Sequence, residues 1–220
     1  MKTIIFGTTD FAEMMYIYLK ENNEDVDAFT VNKKYLPSKD MPCRVIPFED
    51  LELYYSVDEV EILPAVGYLD MNDRRKSIFC QIKNKGYKIR NFIHPSAIIS
   101  KSARYDYGTI ILENSVIQSN VMLGEGNIIF SNATISHNSN VGDFNWFAPG
   151  FVSAGNVTIE NNCFLGSNAT IRNGITIKEY SMIGAGSYVY KDTTRRQLVK
   201  PCHSVYLENE DIDRLNRAIE

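Results

Sequence analysis

Ile129-Phe130-Ser131-Asn132-Ala133-Thr134-Ile135-Ser136-His137-Asn138-Ser139-Asn140-Val141 is one passage of a register that runs from Ile99 to Val189 without an inserted or deleted residue. The first place of each six holds Ile99, Tyr105, Ile111, Ile117, Leu123, Ile129, Ile135, Val141, Phe147, Ser153, Ile159, Leu165, Ile171, Ile177, Ile183 and Val189. Only Tyr105, Phe147 and Ser153 interrupt the Ile, Leu and Val. Four residues on, the side chain is mostly small, as at Ala103, Ser115, Ala133, Ser139, Cys163, Ala169 and Ser181. The residue directly after the first place is often Gly, Ala or an acid, as at Gly124, Gly142, Ala154, Glu160, Gly166 and Gly184.

A period of six suits neither a helix nor a plain alternating strand. It suits a solenoid in which each six supplies one short strand and one corner. Three sixes close a triangular coil, with one large and one small side chain per face filling a narrow prism. Successive coils then stack at the strand spacing of about 4.8 Å, each supported by its neighbours. The general crossover rule would make such a coil right-handed; periodicity does not decide the hand. The hexapeptide pattern resembles the parallel β-helix of the hexapeptide acyltransferases, and that resemblance implies a left-handed coil.

The chain has 220 residues, 44% of them hydrophobic, and a formal charge of −4. That length and content suit two small domains with a real core. The charge gives no basic patch for nucleic acid, and no apolar run reaches the ~18 residues of a membrane span. The start, Met1 to Gly7, reads as a strand rather than a signal peptide. Cys43, Cys80, Cys163 and Cys202 are scattered and lack metal-binding spacing. The expectation is a reduced, cytoplasmic protein without a metal, partnered neither by nucleic acid nor by membrane.

Residues 2–6 read as a buried parallel strand. Gly7-Thr8-Thr9-Asp10 follows, then helical spacing from Phe11 to Leu19. Strand, glycine turn and helix start can present N–H groups to a phosphate; with one glycine of the usual three, a plain turn is an equal reading. Further strands are expected at Asp25–Val31, Arg44–Ile46, Glu61–Val66 and Tyr87–Ile93. A helix is expected over Asp70–Lys85, with Met71, Ile78, Phe79 and Ile82 inward and Gly86 as its stop. The alternation gives a small parallel α/β sheet. Its ligand end lies at the C-terminal strand ends, at Gly7, Thr8, Thr9 and Asp10, at Val31 and Asn32, and at Gly67 and Tyr68. The expected divisions are an α/β head over 1–94, the coil over 95–192, and a tail over 193–220 that covers the open end with a helix from Glu210 to Glu220.

Of three histidines, His94 sits at the junction and His203 in the tail. His137 differs. Ile135 and Ser139 take the core slots of its six, so its ring projects outward. An α/β head, the junction Ile93-His94-Pro95-Ser96-Ala97, the His137 hexapeptide and Ala154-Gly155-Asn156-Val157-Thr158-Ile159 together resemble the sugar acetyltransferases of the NeuD/PglD type, over residues 2–191 or so. The resemblance implies an acetyl-CoA-dependent N-acetyltransferase that acts on the amino group of a nucleotide-linked sugar, a cell-surface glycan or O-antigen precursor. It implies His137 as general base, Gly155 as donor to the thioester carbonyl, a nucleotide held by the head, and acetyl-CoA along the coils of a homotrimer, near Trp146, Gly155, Ser167 and Ala185. An imidazole near its ordinary pKa of about 6.5 can take the amine proton, a backbone N–H can face a developing oxyanion, and CoA activates the acyl group without a metal. Three departures stand out. Asn138 occupies the place of a Glu that would orient the ring, with Asp143 as a conceivable substitute. Trp146 replaces a polar residue, as a lid, a stacking surface or plain packing. Val31-Asn32 stands where acids often read the nucleotide, which leaves UDP, dTDP and GDP open. The alternatives are O-acylation of a sugar hydroxyl and a catalytically silent, sugar-nucleotide-binding scaffold. Outward Ile110, Phe130, Trp146 and Val152 suggest that a second copy covers the prism.

Overall fold

The computed structural model describes residues 1–202. The expected terminal helix and His203 lie outside them. The head is a five-stranded parallel sheet. Its strands are β1 (Lys2–Phe6), β2 (Val26–Val31), β3 (Val45–Pro47), β4 (Val60–Pro64) and β5 (Lys88–Ile89), in the spatial order β3-β2-β1-β4-β5. Two helices flank it, α1 (Asp10–Glu21) and α2 (Asp73–Asn84). The order reverses between β1 and β4, and a doubly wound sheet opens its ligand crevice at such a point.

α2 begins later than periodicity suggests. Asp70, Met71 and Asn72 all hold left-handed backbone (φ 55°, 49° and 69°), so no helix can run through them and Met71 sits in the turn. Tyr87 to Ile93, read as one strand, is two. β5 completes the head sheet beside β4, while β6 (Phe92–Ile93) pairs with Ile110–Ile111 and starts the coil. The coil ladder also runs past the regular repeat, because Leu198–Val199 pairs with Met182–Ile183.

Every coil strand is two residues long, and up to Tyr188–Val189 each pairs in parallel with the strand eighteen residues away, as Val116 with Thr134 and Thr134 with Val152. This makes three flat faces. The first carries Ile110, Ile128, Trp146, Phe164 and Met182. The second carries Ile98, Val116, Thr134, Val152, Thr170 and Tyr188. The third carries Arg104, Met122, Asn140, Thr158 and Thr176. The large slots fill the prism from Ile111 to Val189; Tyr105, in the first coil, stays exposed. Ser153, small in a large slot, is balanced within the prism by Phe151, large in a small slot, whose ring packs 5.1 Å from Phe147. The shape of the core is kept because total volume is kept.

Corners obey a rule that the core slots do not reveal. The third residue after each large slot, at every corner from Gly108 to Gly186, has positive φ: glycine at 108, 126, 150, 174 and 186, asparagine at 114, 120, 132, 138, 156, 162 and 168, with Phe144 and Tyr180 the exceptions. Asn tolerates this conformation better than other side chains. Asn138 (φ 56°) is one of this series, which supplies a backbone reason for the residue that stands in place of Glu.

The head lies on the first face. Phe11 of α1 packs against Phe130 and Trp146, with centroids 5.6 and 5.7 Å apart, and Tyr68 packs against Trp146 and Phe164 at 5.2 and 4.8 Å. Phe79 of α2 meets Phe144 edge-on at 5.0 Å. Three of the four outward apolar residues, Ile110, Phe130 and Trp146, are therefore covered by the chain's own head, and only Val152 of that set stays open to solvent.

Arg75 fixes this interface. It is fully buried, yet none of its hydrogen bonds is to a carboxylate. Its Nε donates to the Gly126 carbonyl (3.0 Å), Nη2 to the Asn145 carbonyl (3.2 Å), and Nη1 to the carbonyls of Val66 and Gly67 (3.4 and 3.3 Å). The guanidinium also sits 6.0 Å from the Trp146 ring centroid. Burial pulls its pKa down to about 9, so it stays protonated at neutral pH. One cation thus ties two coil corners to the loop after β4.

Candidate functional site

Two features hold the residues singled out by sequence. The first is a cavity of about 550 Å³ at the reversal point of the head sheet. Gly7, Thr8, Thr9, Val31, Asn32 and Gly67 line it as expected. Gly7 has φ 134°, and a Cβ there would come within 2.5 Å of the Ala65 carbonyl oxygen. Glycine at this position therefore holds β1 against the end of β4, and a side chain there would disturb the fold as well as any ligand. Asn32 donates through Nδ2 to Gln81 Oε1 (2.9 Å), which fixes a polar amide edge on the cavity wall.

Two expected members stand elsewhere. Asp10, in the first turn of α1, is paired with Lys39 at 3.4 Å, and Lys39 also pairs with Glu13. Tyr68 turns onto Trp146 and Phe164 instead of the cavity. Residues not anticipated take their place: Lys34 and Tyr35 from the short 3-10 turn after β2, and Asp73, Arg74, Ser77 and Gln81 from α2. The last four follow helical spacing on one side of α2, opposite the buried Phe79 and Ile82. That polar stripe was readable in the sequence as a helix face. Nothing in the sequence showed that the face borders a cavity.

The second feature is the corner between the second and third coil faces. His137 lies there, between Thr134–Ile135 and Asn140–Val141. Gly155 is one coil along, eighteen residues on. The imidazole lies against the Gly155 Cα: a Cβ at residue 155 would overlap Cε1 and stand 2.6 Å from Nε2. Close approach, not backbone conformation, is the reason for this glycine. The His137 N–H donates to Gln118 Oε1 (3.0 Å), and the His137 carbonyl accepts from Asn156 N–H (2.9 Å). Among the described residues, no protein acceptor takes the Gly155 N–H. The ring itself is exposed. Asn138 Nδ2 stands 3.2 Å from His137 Nδ1.

Asp143 is not the missing carboxylate. It sits on the corner between the third and first faces, where its Oδ1 accepts from the Glu125 N–H at 3.0 Å. Trp146 is no part of an open donor site either. It is 8% exposed and wedged under the head by Phe11, Tyr68 and Phe130, because its strand lies on the covered face. Ser167 and Ala185 occupy the corner between the first and second faces, linked by the bond from Gly186 N–H to the Ser167 carbonyl (2.8 Å). Within one chain the second face separates them from His137 and Gly155.

One substitution tests the stacking of ring on glycine. Gly155→Ala is expected to keep the fold, since residue 155 lies outside the positive-φ corner positions. It should push the imidazole out of place, and any turnover that uses this ring should fall by about 10²-fold. Steady-state kinetics beside a thermal melt checks this; an unchanged kcat would remove the stacking from the mechanism.

Comparisons place these features among known proteins. Residues 156–191 match the family model described as the hexapeptide repeat of succinyl-transferase. PerB from Caulobacter crescentus, solved with CoA and GDP-perosamine, matches with a TM-score of 0.80 at 24% identity, over 90% of this chain and 93% of that one. The acetyltransferase domain of PglB from Neisseria gonorrhoeae, solved with acetyl coenzyme A, matches at 0.79 and 24% identity, over 91% and 98%. WeeI from Acinetobacter baumannii matches at 0.78 and 18% identity, over 90% and 95%. The likeness establishes the fold: a Rossmann-like head on a left-handed parallel β-helix of hexapeptide repeats. Among the described residues no helix is long and apolar enough to cross a membrane.

Proposed function

We propose that this chain is an acetyl-CoA-dependent N-acetyltransferase acting on the amino group of a nucleotide-linked sugar, with His137 as general base. The observation that carries the reading is the His137 ring laid on Gly155 at an open corner, in a fold shared with proteins whose structures hold CoA together with GDP-perosamine, or acetyl coenzyme A.

The chemistry follows from those groups. The neutral sugar amine attacks the thioester carbonyl carbon. As the C–N bond forms, the nitrogen loses its proton to His137 Nε2. The carbonyl oxygen becomes negative and is met by the Gly155 N–H. The C–S bond then breaks, and the imidazolium returns its proton to the departing thiolate. The head supplies binding: the Gly7–Thr9 turn and the α1 N-terminus receive the diphosphate, and the Asn32–Gln81 edge meets the base or ribose.

The site is completed by a second copy of the chain. The head covers the first face, whereas His137 stands on the corner opposite that face. A sugar held by one head is thus aimed away from its own base. The second and third faces remain open, with Ile98 65%, Tyr188 60% and Met122 49% exposed. That is apolar surface of the kind that a closed ring of copies would bury. A homotrimer satisfies both observations.

The test is thiol release from acetyl-CoA in the presence of UDP-, dTDP- and GDP-linked amino sugars, alongside calorimetric binding of the same compounds. Turnover with one of them and none with the matching hydroxyl sugar supports N-acetylation. Acceptance of the hydroxyl compound alone would make this an O-acyltransferase. Binding without turnover across the panel would favour the silent scaffold, the reading kept in view by the amide of Asn138 beside His137.

A further inference from the structure

A base at Nε2 needs its ring proton on Nδ1, because a neutral imidazole has one donor and one acceptor nitrogen. The group facing Nδ1 therefore decides whether His137 can act. A carboxylate at that place would settle the matter, since it only accepts. Here the neighbour is an amide, which can face the ring with either end. As placed, Asn138 offers Nδ2 to Nδ1 at 3.2 Å. That arrangement puts the ring proton on Nε2, the wrong nitrogen for a base.

The choice is not made by Asn138 alone. Its Oδ1 accepts from Asn120 Nδ2 at 3.0 Å. Asn120 lies one coil back on the same corner, with φ 58°, and its N–H donates to Ser102 Oγ at 3.0 Å. The Asn138 N–H donates to the Ser119 carbonyl at 3.0 Å, so the backbone of each residue is tied to the preceding coil. Two side-chain amides thus form a chain that ends on the imidazole. The chain has two self-consistent arrangements. In one, both amides point their nitrogens toward His137 and the ring keeps its proton on Nε2. In the other, both are turned over: Asn120 Oδ1 accepts from Asn138 Nδ2, and Asn138 Oδ1 accepts from Nδ1–H. Turning only one sets two NH₂ groups or two oxygens against each other.

We infer that Asn120 is a positioning residue for His137: acting through Asn138, it sets which ring nitrogen holds the proton. This rests on the reading of His137 as base, but the placement of the proton can be measured without any turnover. The corner thereby leaves to the orientation of two neutral amides what a single carboxylate would fix by charge, and it keeps Asn at both positions where the left-handed backbone favours it.

The experiment uses the whole protein with ¹⁵N-labelled histidine. There are only three histidines, and the His137 signals are assigned by their loss in His137→Gln. Ring nitrogen shifts, read above the titration of the imidazole, give the ratio of the two tautomers in wild type, Asn120→Asp and Asn120→Gly. The carboxylate of N120D can only accept, so it turns Asn138 over. The Nδ1–H share should rise about 2- to 10-fold, the worth of one hydrogen bond. Glycine keeps the left-handed backbone and deletes the amide, so N120G should have a ratio distinct from that of N120D. The same tautomer ratio in all three proteins would overturn the inference. Kinetics separates it from the reading on which it rests. A raised Nδ1–H share with a raised kcat and unchanged KM supports both. A raised share with unchanged kcat keeps Asn120 as the positioning residue and removes His137 as the base.

Discussion

His137→Ala is expected to assemble and melt as the wild type does and to turn over about 10²–10⁴-fold more slowly, the usual contribution of a positioned general base. The two halves of this expectation have separate causes. Stability is spared because Ile135 and Ser139, not His137, occupy the core slots of that six. The two backbone bonds at residue 137, from its N–H to Gln118 and to its carbonyl from Asn156, do not depend on the side chain. The ring's own contacts are with Asn138 and with the Cα of Gly155, on an exposed corner. Activity is lost because, among the described residues, no other histidine can substitute: His94 is held through Nδ1 by Ser96 Oγ at 2.8 Å, on a different corner. Thermal melting, light scattering and kcat at pH 7 on one preparation check both halves. Near-normal kcat would refute the base; a lowered melting temperature would mean that the ring stabilises the fold after all.

Arg75→Met is expected to lose about 2–4 kcal/mol of stability, through buried acceptors left without donors at about 1–3 kcal/mol each. Two opposing effects meet here. Removing a buried cation without a counterion relieves a desolvation cost. Against this, four carbonyls lose charge-assisted bonds, and the bonds to two of them, Gly126 and Asn145, are buried, whereas those to Val66 and Gly67 border the head cavity. The loss of acceptor partners outweighs the relief because the guanidinium is already solvated by those carbonyls and by the Trp146 face. Arg75→Lys should lose nearly as much, since a single ammonium cannot reach both coil corners and the Val66–Gly67 loop together. Calorimetric unfolding is the measurement, and separation of head and coil into two transitions would be its clearest form. An R75M protein as stable as wild type would mean that desolvation cancels the whole set of bonds. Because Val66 and Gly67 line the head cavity, weaker nucleotide-sugar binding should accompany the loss.

The coil was legible because its core selects by size at fixed intervals, and a slot that must hold Ile, Leu or Val leaves that mark whatever its neighbours do. The head strands were legible for a similar reason, as short apolar runs. What surrounds an outward residue leaves no such mark. Trp146, Phe130 and Ile110 were read correctly as outward, yet the pattern could not tell a partner subunit from the chain's own head. Arg75 is not distinguishable in the sequence because the middle residue of a basic run, Arg74-Arg75-Lys76, looks solvated; only the fold brings four carbonyls to it. Asn or Gly stands at all but two of the corner positions, spaced by sixes, from Gly108 to Gly186. Their meaning is backbone conformation, which explains Asn138 without reference to catalysis. It also tempers Asn138→Glu, which would gain an acceptor for Nδ1–H but lose about 1–2 kcal/mol to the left-handed backbone. The cavity lining was half legible: the turn after β1 announces itself, whereas Asp73, Ser77 and Gln81 matter only because α2 begins where Asp70, Met71 and Asn72 unwind it.

The coil is also a ruler with two scales. Moving along the chain by six residues rotates a side chain by one edge of the prism, and moving by eighteen carries it along the same edge by one strand spacing, about 4.8 Å. An inserted hexapeptide between Ile93 and His137 would keep the coil's core slots filled and its ladder bonds available, yet it would turn Asn145, Trp146 and Phe164 away from the head that packs on them. The imidazole, too, would arrive on another edge of the prism. An insertion of eighteen would leave it on the proper edge at the wrong height. Length variation is therefore nearly silent for the coil itself and unforgiving for the docking of the head, and what inheritance must preserve between head and His137 is a count of residues, modulo eighteen for direction and absolute for reach.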